Sequence, residues 1–146
     1  FMTSARYPVI SPALREREEV RVPADLLRLR LMHDEVLDAW DEWFDAAGVA
    51  PRALPRGPVF PNCELATTAA EQGQGVALAY DMMVRGTLEA GRLERLFDTV
   101  TLPVTIYSVA YPEARADDPM IRSFRDWVFA EMERDGAPLL ARPAAE

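Results

Sequence analysis

The residues of this sequence that could do chemistry lie side by side at Asn62 and Cys63. Asparagine is a preferred N-cap because its side-chain oxygen accepts from an unpaired backbone N–H, so we predict a helix that begins at Cys63. The free N–H groups of such a helix end attract carboxylates and other anions. A thiol in the first turn can also have a lowered pKa. Capping without a ligand explains Asn62 equally well, and burial of a small side chain explains Cys63 better than reactivity does.

Other catalytic chemistries find little support. The chain has one histidine, one cysteine and no lysine, so we predict no metal site, no P-loop and no cofactor. No G-x-S-x-G occurs, and Gly73-x-Gly75 precedes a predicted strand, whereas a dinucleotide fingerprint follows one. His33 ends an apolar stretch and is interpreted as structural. The sequence therefore favours a protein that is not an enzyme.

The elements that must position Asn62 and Cys63 form a strand–helix–turn–strand pattern. We expect the predicted helix to face a sheet through residues at helical spacing, namely Leu65, Ala66, Ala69 and Ala70. Gly73 suits the left-handed position after the helix, and Gly75 allows a second tight backbone position. The apolar run from Val76 to Ala79 predicts a strand that is covered on both faces.

Further elements alternate along the chain. We predict strands at Tyr7–Ile10, Leu31–His33, Val59–Phe60 and Val104–Tyr111, and helices at Asp38–Ala47, Met82–Ala90 and Met120–Arg134. The charged run Arg15–Glu19 is predicted to be a loop. Alternating helices and strands indicate an α/β fold with a largely parallel sheet. Ligands of such sheets bind beyond the carboxyl ends of the strands. Here that edge would offer Phe60, Pro61, Tyr80, Asp81 and Tyr107.

Composition limits the partners and the compartment. The 146 residues carry a formal net charge of −8, which disfavours binding of this chain to nucleic acid or to an anionic membrane. No apolar run has the length of a membrane span, and the N-terminus lacks the apolar region of a signal peptide. One cysteine excludes an internal disulfide. We therefore expect a cytoplasmic protein.

The stretch FPNCELATTAAEQGQGVALAYDMMVRGTLEAGRLERLF resembles the second half of the effector-binding domain of LysR-type transcriptional regulators. The matching features are a polar helix start at Asn62-Cys63, the G-x-G-V-A-L of Gly73–Leu78 and the A-G-x-L of Ala90–Leu93. Tyr7–Leu14 resembles the family's crossover strand. D-x-W-F-x-A-A-G at Asp41–Gly48, R-G-P-x-F from Arg56 and F-R-D-W from Phe124 are closer to the branch of the glycine-cleavage activator and the β-lactamase regulator. The resemblance covers about residues 6–132.

The resemblance implies an α/β, type 2 periplasmic-binding-protein-like fold, truncated to the second subdomain plus the C-terminal return. It places the second subdomain at about residues 8–103, the C-terminal strand and helix at 104–135 and a frayed tail at 137–146. A small-molecule effector, such as a carboxylate or an amino acid, would bind between two subdomains and modulate DNA binding. The sequence has no counterpart of the family's helix-turn-helix or of most of the first subdomain, so DNA would be bound only through the missing N-terminal domain.

The resemblance also implies site residues. Asn62 and Cys63 stand where the family has a polar residue that lines the cleft. Tyr107 stands near a cleft-facing aromatic residue, and Tyr80 replaces a position that is commonly proline or small. The four residues are the expected effector-binding set.

Homo-oligomer formation is expected from the family. Four bulky side chains exceed what a half-domain readily buries, and we expect them to contribute to a partner surface: Trp40, Trp43, Phe44 and Trp127. Two alternatives to a regulatory domain stay open on the sequence. One is a stand-alone solute-binding module of the same fold, and the other is a small enzyme that uses Cys63 as nucleophile.

Overall fold

The computed structural model describes residues 4–50, 53–55, 57–102 and 109–134. The chain forms two compact units, of which Ala5–Thr101 is the larger. In that unit, a four-stranded sheet consists of β1 (Arg6–Ile10), β2 (Leu31–Met32), β3 (Val76–Tyr80) and β4 (Glu94–Arg95). The strands lie in the order β2-β3-β1-β4.

The sheet is mixed, which corrects the expectation of a largely parallel sheet. β2 and β3 are parallel, with Leu31 opposite Val76, but β1 is antiparallel to both of its neighbours β3 and β4. Three strands therefore share one direction and β1 alone runs the other way. Alternation of helices and strands does not reveal this, because the direction of a strand depends on the end at which the chain enters the sheet.

Five helices belong to the described residues: α1 (Pro12–Glu18), α2 (Ala39–Ala46), α3 (Cys63–Glu71), α4 (Asp81–Glu89) and α5 (Pro119–Arg134). Short 3₁₀ helices lie at Pro23–Arg28 and Glu113–Arg115. The predicted loop at Arg15–Glu19 was wrong, because α1 continues to Glu18 and Glu19 ends it in the left-handed conformation. Arginine and glutamate are good helix formers on an exposed face, so charge alone did not indicate a loop.

The two faces of the sheet bury different side chains. Val76 and Leu78 of β3 face a cluster of large residues, while Ala77 and Ala79 face the small residues of α3 and part of α4. This follows the two-residue period of a strand. The first cluster is built from aromatic and branched side chains, including Leu26, Leu31, Trp40, Trp43 and Phe44.

Full burial of the α2 aromatic residues overturns their assignment to a partner surface. Trp40, Trp43 and Phe44 are at most 1% exposed, and their rings contact one another at centroid distances of 5.3–6.0 Å. The Trp40 Nε1–H donates to the Met32 carbonyl at 3.0 Å, and that of Trp43 donates to Thr99 at 3.1 Å. The unit thus supplies both apolar cover and polar partners for these rings.

The predicted α3–turn–β3 pattern is confirmed in its main points. Gly73 follows α3 with φ of +73°, and a Cβ at Gly75 would lie 2.3 Å from the Arg30 carbonyl oxygen. Ala66, Ala69 and Ala70 face the sheet as expected, but Leu65 is exposed. The predicted strand at Val59–Phe60 differs from expectation. Val59 is exposed and forms only an isolated bridge with His33.

The smaller unit is described through residues 109–134, with Ser4 and Leu102. Asp118 accepts from the Met120 N–H at 3.0 Å, so the predicted start of α5 is confirmed. Most of the predicted strand Val104–Tyr111 lies outside the described residues, and residues 109–111 are not strand. The predicted tail at 137–146 is outside them as well. Phe124 and Trp127 lie exposed on α5 with ring centroids 6.0 Å apart.

Candidate functional site

One edge of the sheet collects strand ends and helix starts, and we call it the strand-end edge. The carboxyl ends of the parallel strands β2 and β3 meet there, and the opposite direction of β1 brings its first residue, Arg6, to the same edge. α4 begins directly after β3. The first turn of α3 lies alongside, because the Cys63 thiol donates to the Leu78 carbonyl of β3 at 3.5 Å.

Asn62 caps α3 as the sequence predicts. Its side-chain oxygen accepts from the Leu65 N–H at 2.9 Å, and the residue is exposed. Within the described ranges, Nδ2 has no hydrogen-bond partner. The capping oxygen is therefore occupied, while the amide nitrogen is a donor that a ligand could use.

Cys63 is buried directly behind Asn62. Burial raises the pKa of its thiol to about 11, and the nearby negative charge of Asp34 acts in the same direction. A hydrogen bond with the Tyr80 backbone and the positive charge of Arg6 lower the pKa by less. The thiol is therefore protonated at neutral pH, as expected for a packed residue and unlike an activated nucleophile.

Tyr80 and Asp81 join β3 to α4. Tyr80 is buried and precedes α4 without a capping side-chain hydrogen bond. Asp81 accepts from the Tyr7 hydroxyl at 2.7 Å and from Arg85 at 3.1 Å. These bonds, led by that of Tyr7, hold the pKa of Asp81 below its usual range despite partial burial. Asp81 therefore serves the fold at this edge as an ionised acceptor.

The strand-end edge brings together three of the four expected residues, Asn62, Cys63 and Tyr80. Tyr107 lies outside the described residues. Phe60 is half-buried and Pro61 is exposed. His33 is tied into the neighbouring backbone, since its N–H donates to Pro58 and its carbonyl accepts from Phe60. The structural role of the His33 side chain stays a prediction.

Sequence reasoning missed Arg6, the most buried charged residue of this edge. Its side chain is 1% exposed, and Nη2 donates to the Glu42 carboxylate at 2.7 Å. Nε contacts the Thr101 hydroxyl at 3.4 Å, whereas Nη1 is buried with no partner among the described residues. An unsatisfied buried donor costs about 1–3 kcal/mol. One feature of the sequence could have indicated it. Arg6 lies four residues before the buried Ile10 on β1, so the strand's two-residue period places this charged residue on the same inward-facing side.

Among the described residues, no group of three or more His, Cys, Asp and Glu side chains lies close enough together to hold a metal ion. None of the described helices is long and apolar enough to cross a membrane.

Comparison with known proteins defines the family. Residues 1–133 match the family model described as the LysR substrate binding domain. The chain therefore belongs to the LysR substrate-binding domain family, the effector-binding domain of LysR-type regulators.

Relatives and solved structures agree with this assignment. The chain is 32% identical over 125 residues to the glycine cleavage system transcriptional activator of Escherichia coli strain K12, covering 85% of this chain and 41% of that protein. It is 33% identical over 111 residues to the HTH-type transcriptional activator AmpR of Citrobacter koseri, covering 76% and 38%.

The fold resembles that of the AmpR effector domain from Pseudomonas aeruginosa. The TM-score is 0.73 at 29% identity, over 92% of this chain and 65% of the other. The type 2 periplasmic-binding-protein-like fold expected from the sequence is thereby confirmed. The chain spans only about two fifths of the length of these two relatives, 41% of one and 38% of the other.

Proposed function

We propose that this chain senses a small effector on behalf of a LysR-type transcriptional regulator and has no catalytic activity. The observation that carries the proposal is the convergence of two helix starts, α3 and α4, on the strand-end edge of a domain of this family. Asn62, Cys63 and Tyr80 would line the effector site from this edge, with Tyr107 as a fourth member. Residues 8–103 would act as the second subdomain.

The effector would act by differential binding. A ligand that prefers one arrangement of the regulator stabilises that arrangement and so changes how the DNA-binding heads are spaced. The helix-turn-helix would be supplied by the larger regulator, which we expect to be a cytoplasmic homo-oligomer. A carboxylate or an amino acid fits the anion-attracting start of α3.

The buried Cys63 thiol supports a binding role over a catalytic one. Its raised pKa, about 11, leaves little thiolate at neutral pH. The transcriptional activators among the relatives likewise favour a regulatory domain over a stand-alone solute-binding module.

Two substitutions at one position test the effector site. Asn62→Ala removes the cap, while Asn62→Asp keeps a capping oxygen and adds a negative charge. We expect a thermal-shift screen of amino acids and small carboxylates on the 146-residue chain to find ligands that raise Tm. Asn62→Asp should fold as well as the wild type and lose that response.

Two results would contradict the proposal. If no compound raises the Tm of the chain or changes DNA binding by the full-length regulator, the sensing role fails. If both Asn62 variants respond like the wild type, the effector does not bind at this helix start.

A further inference from the structure

The Arg6 guanidinium is a buried cation whose hydrogen-bonding capacity is only partly used. Nη2 donates to one Glu42 oxygen at 2.7 Å, and the other carboxylate oxygen makes no contact with Nη1, which has no partner among the described residues. The ion pair between Arg6 and Glu42 is therefore monodentate, with a single hydrogen bond. Arginine can hold a carboxylate through two parallel N–H···O bonds, and that arrangement is stronger.

The two members of this ion pair differ sharply in burial. The Arg6 side chain is 1% exposed, but that of Glu42 is 51% exposed. Glu42 is thus a solvent-accessible carboxylate bound to a buried cation. It belongs to α2, which is held in place by its aromatic core residues rather than by this hydrogen bond. An incoming carboxylate could take its place without leaving a buried charge unpaired.

Arg6 is also placed where a ligand of the strand-end edge would be. Its Cζ lies over the Tyr80 ring at 6.0 Å from the centroid, and Arg6 and Tyr80 are cross-strand partners. Its charge reaches Cys63, where it lowers the thiol pKa against the effect of burial. The other unpartnered buried side-chain atom of the described residues, the Ser11 hydroxyl, is uncharged and lies near Gly73.

We propose that Arg6 is the anion-recognition residue of this domain and that an effector carboxylate competes with Glu42 for it. The inference rests on the proposed sensing function and adds the chemical class of the effector, a molecule with a free carboxylate. The effector carboxylate would replace the Glu42 carboxylate on Arg6. The new pair would be the stronger one because Nη1 would donate a second hydrogen bond.

Chemical rescue by acetate tests the exchange. In Glu42→Ala, Arg6 loses its carboxylate partner, so Tm should fall, and acetate should restore it in a saturable manner. Acetamide, a neutral molecule of the same shape, should not, and chloride at the same ionic strength serves as the salt control. We expect the apparent Kd for acetate to be about fivefold lower in Glu42→Ala than in the wild type, because the competing carboxylate is gone.

A matched ion pair provides the control variant. Arg15 and Glu94 are also 2.7 Å apart, but both are partly exposed. Glu94→Ala should therefore show no saturable rescue by acetate. Arg6→Gln should abolish the acetate response if it folds, and the Glu42→Ala experiment does not depend on that variant.

The outcomes separate this inference from the proposed function. Saturable acetate rescue of Glu42→Ala, absent with acetamide and absent in Glu94→Ala, supports it. If acetate affects the Glu42 and Glu94 variants equally, or affects neither, Arg6 is not the anion site. An effector that depends on Asn62 but binds Glu42→Ala and the wild type with the same affinity would overturn the inference and leave the sensing function standing.

Discussion

The Tyr7 hydroxyl donates to the Asp81 carboxylate across 2.7 Å and so joins β1 to the first turn of α4. The bond has opposite effects on the two groups. It holds the pKa of Asp81 below its usual range, and, after burial, it is a main cause of the strongly raised pKa of Tyr7. Arg95 lies over the Tyr7 ring at 4.4 Å and opposes the rise.

Tyr7→Phe should lower the free energy of unfolding by about 1 kcal/mol at pH 7, the usual scale for such a bond. The difference from the wild type should narrow below about pH 4, because the stabilisation from a depressed carboxyl pKa is lost as that group is protonated. The difference should also narrow above about pH 10. There tyrosine ionises in the unfolded state but not in the folded state, so the wild type loses stability that Tyr7→Phe keeps.

Urea denaturation at several pH values measures these differences. A constant difference from pH 3 to pH 11 would show that the effect of Tyr7→Phe does not pass through ionisation of this pair.

Gly75→Ala should be strongly destabilising. Its Cβ would lie 2.3 Å from the Arg30 carbonyl oxygen and 2.4 Å from the Met32 Cε, at the point where β3 joins β2. Because the nearer atom is backbone, relief requires the strands to move, and overpacking of this kind costs about 1–3 kcal/mol.

Gly86→Ala is the matched control in α4. A Cβ there meets nothing within 4 Å, and alanine is preferred to glycine in a helix by about 0.5–1 kcal/mol. Thermal unfolding should therefore shift in opposite directions for the two substitutions. A shift in the same direction would contradict the close approach at Gly75.

Trp43→Ala and Trp127→Ala should differ widely in effect. Trp43 is fully buried and bonded to Thr99, so its truncation should cost about 3–5 kcal/mol. Trp127 is 58% exposed, and its truncation should cost less than about 1 kcal/mol. Chemical denaturation monitored by circular dichroism compares them. Similar losses would mean that the Trp127 face is covered in solution.

Cys63 should react slowly with iodoacetamide in the native protein at pH 8. A pKa of about 11 corresponds to roughly 0.1% thiolate at that pH, against about a quarter for a free cysteine. Labelling followed by mass spectrometry should therefore be at least ~100-fold slower than that of glutathione. Protein unfolded in urea is the positive control. Rapid labelling of the native chain would revive the nucleophile hypothesis.

Local chemistry was the most predictable part of the fold. The Asn62 cap, the left-handed Gly73 and the buried run Val76–Ala79 follow from residue type and spacing alone. Strand direction was not predictable, because Arg6–Ile10 would have the same pattern in either orientation. The exposure of Leu65 was not predictable either, because it depends on how α3 packs on the sheet. The sheet is in close contact with the small side chains of α3 only.

The candidate site was predictable only in part. Asn62 carries a visible signal in its own type and its position before a helix. The position of Arg6 on β1 marks only a charged residue on an inward-facing side. Its partners Glu42 and Thr101 lie 36 and 95 residues away in the chain. A single sequence does not reveal a pairing at such separations.

The bridge between Arg6 and Thr101 has a consequence for how the larger unit could be re-engineered. Two backbone hydrogen bonds, of 2.8 and 2.9 Å, hold these residues side by side, so the two ends of the unit, Ala5 and Thr101, lie close together. A segment closed in this way is suited to circular permutation. A short linker joining residues 5 and 101, with new termini opened at the exposed Gly48, should preserve the sheet order while removing the covalent connection to the rest of the chain.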